Sequence, residues 1–359
     1  MEQFAAGKVL RGRYRLDRVL GRGTMGHVWE GTDVFLERPV AVKTVASDLL
    51  ALPDWRPTAL ARFEREAKAA ARLHHANITT VYDAAVTENV CCLVMQLVDG
   101  TTLDNVIDGA DDGRLSVQAA AAVTAQLCAG LSAAHAADLV HRDLKPQNVM
   151  VGADGVVKIL DFGLVKVLSD TDTRLTMTGE TVGNVAYASP ELLAGERQLD
   201  GRSDLYAVGC LLHHMLTGRP PFRSGNPAAL VTEHLTVPPP RLRECGVENT
   251  PPGLEELVQA LLAKRAEDRP GTAADVYAAL APYLPAPDPA LGTRPMPPED
   301  PRRPFLVPQG PVVGGRRGGP GPGAGGGRGR RQGEAAGVRQ GGGLRGGDGR
   351  RGGGAVRGT

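Results

Sequence analysis

The residues best suited to chemistry in this chain lie in two short runs. His141-Arg142-Asp143-Leu144-Lys145-Pro146-Gln147-Asn148 is followed by Asp161-Phe162-Gly163. Both runs read as loops, and together they place two carboxylates and an asparagine close in sequence. Oxygen donors grouped in this way suit a general base together with magnesium ligands, because magnesium binds a few protein oxygens alongside phosphate. Charged loops are usually only solvated, but an octapeptide of this kind is too long to be a chance arrangement.

Two further runs would serve the same chemistry. Gly21-Arg22-Gly23-Thr24-Met25-Gly26-His27-Val28 is glycine-rich, so its backbone amides can approach phosphate oxygens with no Cβ in the way. It lies between two predicted strands. A dinucleotide-binding unit would instead need a strand before it and a helix N-terminus after it. Val40-Ala41-Val42-Lys43 sets a lysine in an apolar strand. Such a lysine either snorkels to solvent or meets an anion in a cleft. Glu64 and Glu66 are both available on the next predicted helix. Two residues apart, they cannot share a helix face, and spacing does not choose between them.

The elements that must position these groups form an α+β pattern. Residues 14–45 alternate short β-like runs with glycine turns, which predicts the start of an antiparallel sheet. A helix is expected over Thr58–Leu73 and a strand over Val90–Val98. Ser116 is a plausible N-cap for an alanine-rich helix running to Ala137. Helical patterns follow at about 203–217, 226–235, 253–264 and 272–283. A small β-rich part followed by a larger helical part predicts two lobes, and the cleft between lobes is a favoured ligand site. Residues 285–313 are proline-rich and read as an extended linker. In Gly310–Thr359, 23 of the 50 residues are glycine, too little apolar surface to offset backbone entropy, so the Gly/Arg-rich segment 314–359 is expected to be disordered.

Charge and cysteine content narrow the function classes. The 13 arginines and 5 acids of residues 286–359 give +8, which leaves −7 on the rest of a chain of net charge +1. A mildly acidic body argues against a folded nucleic-acid-binding domain, though the basic tail could make a weak contact with a polyanion. The five cysteines form no CxxC pair and mostly sit in apolar runs, so they read as buried free thiols. No run reaches the ~18–20 apolar residues of a membrane span and no apolar signal core is visible, so the expected location is the cytoplasm.

Taken together and in order, the motifs resemble those of the eukaryotic-type protein kinases, specifically the bacterial serine/threonine branch, over about residues 14–284. The resemblance implies an N-lobe over about 14–95, of antiparallel sheet plus one helix, and a larger, mainly helical C-lobe over about 99–284. It implies ATP and Mg2+ as cofactors and proteins as substrates. Leu20 and the loop Gly21, Arg22, Gly23, Thr24, Met25, Gly26, His27 and Val28 would cover the ATP phosphates. Lys43 would contact the α- and β-phosphates and pair with Glu66, the better match to the family's helix position. Asp143 would orient the attacking hydroxyl and accept its proton, and Lys145 would steady the transferred phosphoryl. Asn148 and Asp161 would hold magnesium. Met95 resembles the gatekeeper, and Gln96-Leu97-Val98 the hinge whose backbone bonds adenine. Val28, Ala41 and Met150 look like the apolar sandwich around it.

The same resemblance assigns supporting roles. Ser189-Pro190-Glu191 is similar to the end of an activation segment, Arg269 to the arginine that pairs with its glutamate, and Asp204 to the aspartate that braces the catalytic loop. Thr176 and Thr178 are the implied phosphorylation sites, modified between two molecules in a transient homodimer. Two positions depart from the pattern: Asn184 stands where a threonine is usual, and Gln96 where glutamate is common. A small-molecule phosphotransferase is disfavoured by Lys145 and the 161–191 segment. A pseudokinase is disfavoured by intact Lys43, Asp143 and Asp161, and a tyrosine kinase by Lys145-Pro146.

Overall fold

The computed structural model describes residues 4–23, 26–45, 56–86, 91–162, 185–196, 198–285 and 301–302. The first part is a six-stranded antiparallel sheet in the order β1-β2-β3-β4-β6-β5. Its strands are β1 (Val9–Leu10), β2 (Tyr14–Gly23), β3 (Gly26–Asp33), β4 (Arg38–Val45), β5 (Val81–Val86) and β6 (Cys91–Gln96). Alternation along β2 turns Tyr14 and Leu16 inward, where they meet Trp29, Val40, Val42, Cys92 and Val94. Helix α1 (Arg56–Ala70) belongs to this lobe and packs against β5. Phe63, Ala67 and Ala70 supply its buried stripe, spaced as one helix face requires.

The second part begins with β7 (Gly100–Thr102) and α2 (Leu103–Asp108) and is built around α3 (Val117–His135). Ser116 caps α3 by accepting a hydrogen bond from the Ala119 amide at 3.2 Å. Every residue of α3 from Ala120 to Ser132 is buried. Small side chains make this possible. At Gly130 an added Cβ would lie 3.0 Å from the Asn77 carbonyl, so the helix runs directly against the loop after α1. Strands β8 (Val149–Gly152) and β9 (Val157–Ile159) form a hairpin beside β7. The rest comprises α4 (Pro190–Leu193), α5 (Gly201–Thr217), α6 (Pro227–Thr236), α7 (Pro252–Leu261) and α8 (Ala273–Leu280). Helices α5 and α8 pack on α3 and complete the C-lobe core.

The predicted elements are present, with ends shifted by a few residues. The helix expected over Thr58–Leu73 runs Arg56–Ala70, and the strand expected over Val90–Val98 is Cys91–Gln96. Cys91, Cys92, Cys128 and Cys210 are buried free thiols, and Cys245 is half-buried. One expectation needs correction. Among the described residues, α3 is long and apolar enough to cross a membrane by length and composition. Its 19 residues contain no Asp, Glu, Lys or Arg, so its many small alanines add up to one continuous apolar window. The protein itself covers that surface, for 72% of the apolar window is buried.

Two core histidines tie stability to pH. Burial pushes His213 down to about 4 and His234 down to about 3, from an ordinary value of 6.5. The unfolded chain therefore takes up protons below about pH 6.5 that the native core refuses. Their stabilisation is complete above pH 6.5 and is lost as pH falls towards 4, at most about 1.4 kcal/mol per pH unit for each ring. The melting temperature is expected to drop between pH 7 and 4.5. A His213→Gln, His234→Gln double variant should show a shallower slope over that range, whatever its absolute Tm. An unchanged slope would assign the acid lability to other groups.

Candidate active site

Asp204, in the first turn of α5, is 1% exposed. Its Oδ2 accepts a hydrogen bond from the His141 amide at 2.8 Å, and its Oδ1 one from the Arg142 amide at 2.9 Å. The Nε2 of His135, on α3, stands 2.8 Å from the same Oδ2. Burial by itself would raise the carboxyl's pKa, but the His135 hydrogen bond and the neighbouring imidazoles hold it below the ordinary value. The ionised group thus anchors two successive amides of the 141–148 loop. Arg142 has φ 62°, a left-handed conformation that costs a non-glycine residue energy and persists where its surroundings enforce it.

His141 is wholly buried and joins two loops. Its Nδ1 accepts from the Asp143 amide at 3.2 Å, so the proton sits on Nε2, which donates to the Leu160 carbonyl at 2.7 Å. The Leu160 amide in turn donates to the Asn148 carbonyl at 2.8 Å. Both backbone groups of Leu160 are therefore held by the 141–148 loop, and the next residue is Asp161.

Within that loop, Asn148 Nδ2 donates to the Asp143 carbonyl at 2.7 Å and to its carboxylate Oδ2 at 3.1 Å. Lys145 Nζ lies 3.4 Å from the same oxygen. Asp143 and Lys145 are each about a fifth exposed, within reach of a substrate but shielded from bulk water. Asp161 has φ 48° and receives a hydrogen bond from Lys43 Nζ, on β4, at 2.9 Å. Among the described residues its other oxygen, Oδ1, is buried without a hydrogen-bond partner. An orphaned carboxylate oxygen in this setting fits a hard cation. Among the described residues no three His, Cys, Asp or Glu side chains form a metal cage.

Other expected positions are found on β2, β3, β4, β6 and β8 and in the connection after β6. Gly23 and Gly26 pair across the β2–β3 hairpin, whose tip, Thr24 and Met25, lies outside the described residues. Leu20, Gly21 and Arg22 are exposed near the end of β2, and His27 and Val28 half-buried on β3. Ala41 on β4 is in register with Met95 on β6, and both are buried. Gln96 and Val98 are half-buried at the connection between the lobes, and Met150 is half-buried on β8. The two glutamates of α1 differ in exposure: Glu64 is exposed and sits 3.7 Å from Lys68, while Glu66 is half-buried. Gly163, Thr176, Thr178 and Asn184 lie outside the described residues.

Farther down the C-lobe, Arg269 forms a two-pronged pair with Glu191 at 2.7 and 2.8 Å. Arg269 also donates to the carbonyls of Arg202, Ala263 and Lys264, so a buried guanidinium is fully used. Residue spacing offered no pointer to His135, which looks like the end of an alanine helix until the fold brings it to Asp204.

A sheet lobe whose Lys43 meets Asp161 of a mainly helical lobe, beside the loop that groups Asp143, Lys145 and Asn148, has the two-lobed architecture of the protein kinases. Residues 14–279 match the protein kinase domain model, and the chain belongs to the protein kinase family. It is 38% identical over 278 residues to the serine/threonine-protein kinase PknB of Mycolicibacterium smegmatis, covering 76% of this chain and 43% of that protein. The PknB of Mycobacterium tuberculosis is 36% identical over 277 residues, with the same coverage of 76% and 43%. The chain thus spans less than half the length of these relatives. The crystal structure of the M. tuberculosis PknI kinase domain superimposes with a TM-score of 0.62 at 26% identity, covering 78% of this chain and 98% of that one.

Asp204→Asn tests the anchor. The replacement keeps the shape but turns an NH2 group towards one of the two amides or His135, leaving a buried donor unpaired. A loss of about 2–4 kcal/mol in unfolding free energy is expected, together with a fall in phosphotransfer rate. Full stability in denaturant titration would show that the loop holds without it.

Proposed function

We propose that this chain transfers the γ-phosphoryl group of ATP to serine or threonine hydroxyls of proteins. The observation that carries the reading is the Lys43–Asp161 contact at 2.9 Å beside the orphaned Asp161 oxygen, next to a loop in which Asp143, Lys145 and Asn148 converge. Lys43 would bind the α- and β-phosphates, with Glu66 as its partner on α1. The glycine hairpin would close over the phosphates, and adenine would lie among Val28, Ala41 and Met150 against the backbone of Gln96 and Val98. Asp161 and Asn148 would hold magnesium, which supplies neutralising charge to phosphate oxygens.

Asp143 would orient the substrate hydroxyl through one carboxylate oxygen and take its proton as the bond to phosphorus forms. Asn148, bonded to both the backbone and side chain of Asp143, limits that carboxylate's rotation. Lys145 would place its positive charge where negative charge spreads over the transferred group. Such chemistry depends mainly on positioning. Lys145-Pro146 and the PknB likeness support serine and threonine over tyrosine. Five free thiols and a need for ATP support a cytoplasmic setting.

Asp143→Asn and Asp161→Asn are each expected to lower kcat by at least ~10²-fold. Radiolabelled ATP with phosphoamino-acid analysis reads both the rate and the acceptor residue. Near-normal turnover by either variant would overturn the site, and label on tyrosine alone would overturn the substrate class.

Activation by phosphate is part of the same proposal. Among the described residues Arg142 Nε is buried without a hydrogen-bond partner, and a phosphate brought to it would offer charge-assisted hydrogen bonds to the guanidinium. Thr176 and Thr178, modified between two molecules in a transient dimer, are the proposed sites. Mass spectrometry of the active enzyme should find phosphate on at least one, and the rate of labelling should rise with enzyme concentration. A Thr176→Ala, Thr178→Ala double variant that keeps full activity would refute this.

A further inference from the structure

Pro301 and Arg302 are the only residues beyond Pro285 among those described, and Pro301 is buried. Its carbonyl accepts a hydrogen bond of 2.8 Å from Nε2 of Gln126, 175 residues earlier on α3. Gln126 is itself 4% exposed, and its amide group is fully used. Oε1 accepts from the Asn77 side chain at 3.0 Å and from the Val157 amide at 2.9 Å. Nε2 donates to the Gly155 carbonyl at 3.3 Å and to Pro301. Pro301 therefore takes the shorter of the two donated bonds.

These partners have consequences for the site. Gly155 and Val157 belong to the β8–β9 hairpin. Asn148 immediately precedes β8, and Asp161 follows β9 by two residues. Asn77 joins the same node to the loop after α1, since its side chain also donates to the Val157 carbonyl at 2.8 Å and its own carbonyl accepts from the Ile159 amide at 2.9 Å. The residue that meets Gln126 is suited to burial. Proline has no amide hydrogen, so burying it leaves only the carbonyl to satisfy. The flanking run Pro297-Pro298-Glu299-Asp300-Pro301-Arg302-Arg303-Pro304 has restricted backbone freedom, which reduces the entropy lost on docking.

We infer that Pro301 and Arg302 form an intramolecular strap. It docks on Gln126 of α3 and fastens the hairpin whose two ends carry Asn148 and Asp161. On this reading the folded unit extends to at least Arg302, and the strap is a point where anything that captures the proline-rich run loosens the magnesium-binding residues. Only the last step rests on the phosphotransfer reading, because the docking is a property of the fold.

The first test uses the unmodified full chain. Trypsin can cut after Arg302, whereas Pro304 blocks the bond after Arg303. That cut is expected to be at least about tenfold slower in the chain than in a free peptide of residues 295–310, since cleavage needs local opening. Equal rates would overturn the strap. The second test replaces residues 299–304 by a Gly/Ser sequence in the full chain. Hydrogen exchange at the Val157 amide should then quicken roughly 5- to 30-fold. The magnesium concentration giving half-maximal rate should rise at least about twofold, below the 10–100-fold of a direct outer-shell loss. Unchanged exchange at Val157 would overturn the strap. Quicker exchange with an unchanged magnesium requirement would keep the strap and overturn its link to the metal residues. If the variant does not fold, the trypsin comparison decides.

Discussion

The Asp204 carboxylate is the interaction on which the rest of the site depends. Taking a carboxylate out of water costs several kcal/mol unless its lone pairs are satisfied. Here two amides and one imidazole satisfy them. The cost becomes a constraint: the 141–148 loop has to run where those amides point at Asp204, even though this forces Arg142 to positive φ. A solvated loop of the same sequence would have no reason to hold that shape. The anchor sits on α5, a helix mostly buried in the C-lobe core, so the loop inherits the rigidity of the helices.

From this anchor the order passes to Asp161 through His141. One imidazole, held in one tautomer by the Asp143 amide, bonds the Leu160 carbonyl, and Asn148 bonds the Leu160 amide. Asp161 is presented at φ 48° next to this clamped residue. Strain and a buried oxygen unpaired among the described residues are both unfavourable in isolation, and both occur at the same aspartate. Their coincidence is what a binding residue looks like when its partner is not a protein atom. Lys43, from the other lobe, balances the charge of the carboxylate through its second oxygen.

The Gln126 node reaches the same residues from behind. It joins α3, the loop after α1, the β8–β9 hairpin and Pro301 through one side-chain amide. The hairpin is thus held on both sides, by His141 and Asn148 at the end that leads to Asp161 and by Gln126 and Asn77 at its back. Small residues make the node compact, since the alanines and Gly130 of α3 let backbone approach backbone.

Local pattern alone determined the β-rich start, the helix cap at Ser116 and the residues of the catalytic loops, because capping, alternation and loop chemistry are set by near neighbours. The motif order also carried the roles of Asp143, Lys145, Asn148 and Asp161 as expectations. Partner choice was not legible in that way. Glu64 and Glu66 were equivalent by spacing, and only the packing of α1 turned the second inward. His135 and Gln126 looked like ordinary residues of an apolar helix, and Pro301 like part of a spacer. Each acquires its role from an atom 69 or 175 residues away. Buried polar groups must find partners wherever the fold brings them. The identity of those partners is therefore a property of the tertiary structure, because no local rule relates side chains so distant along the chain.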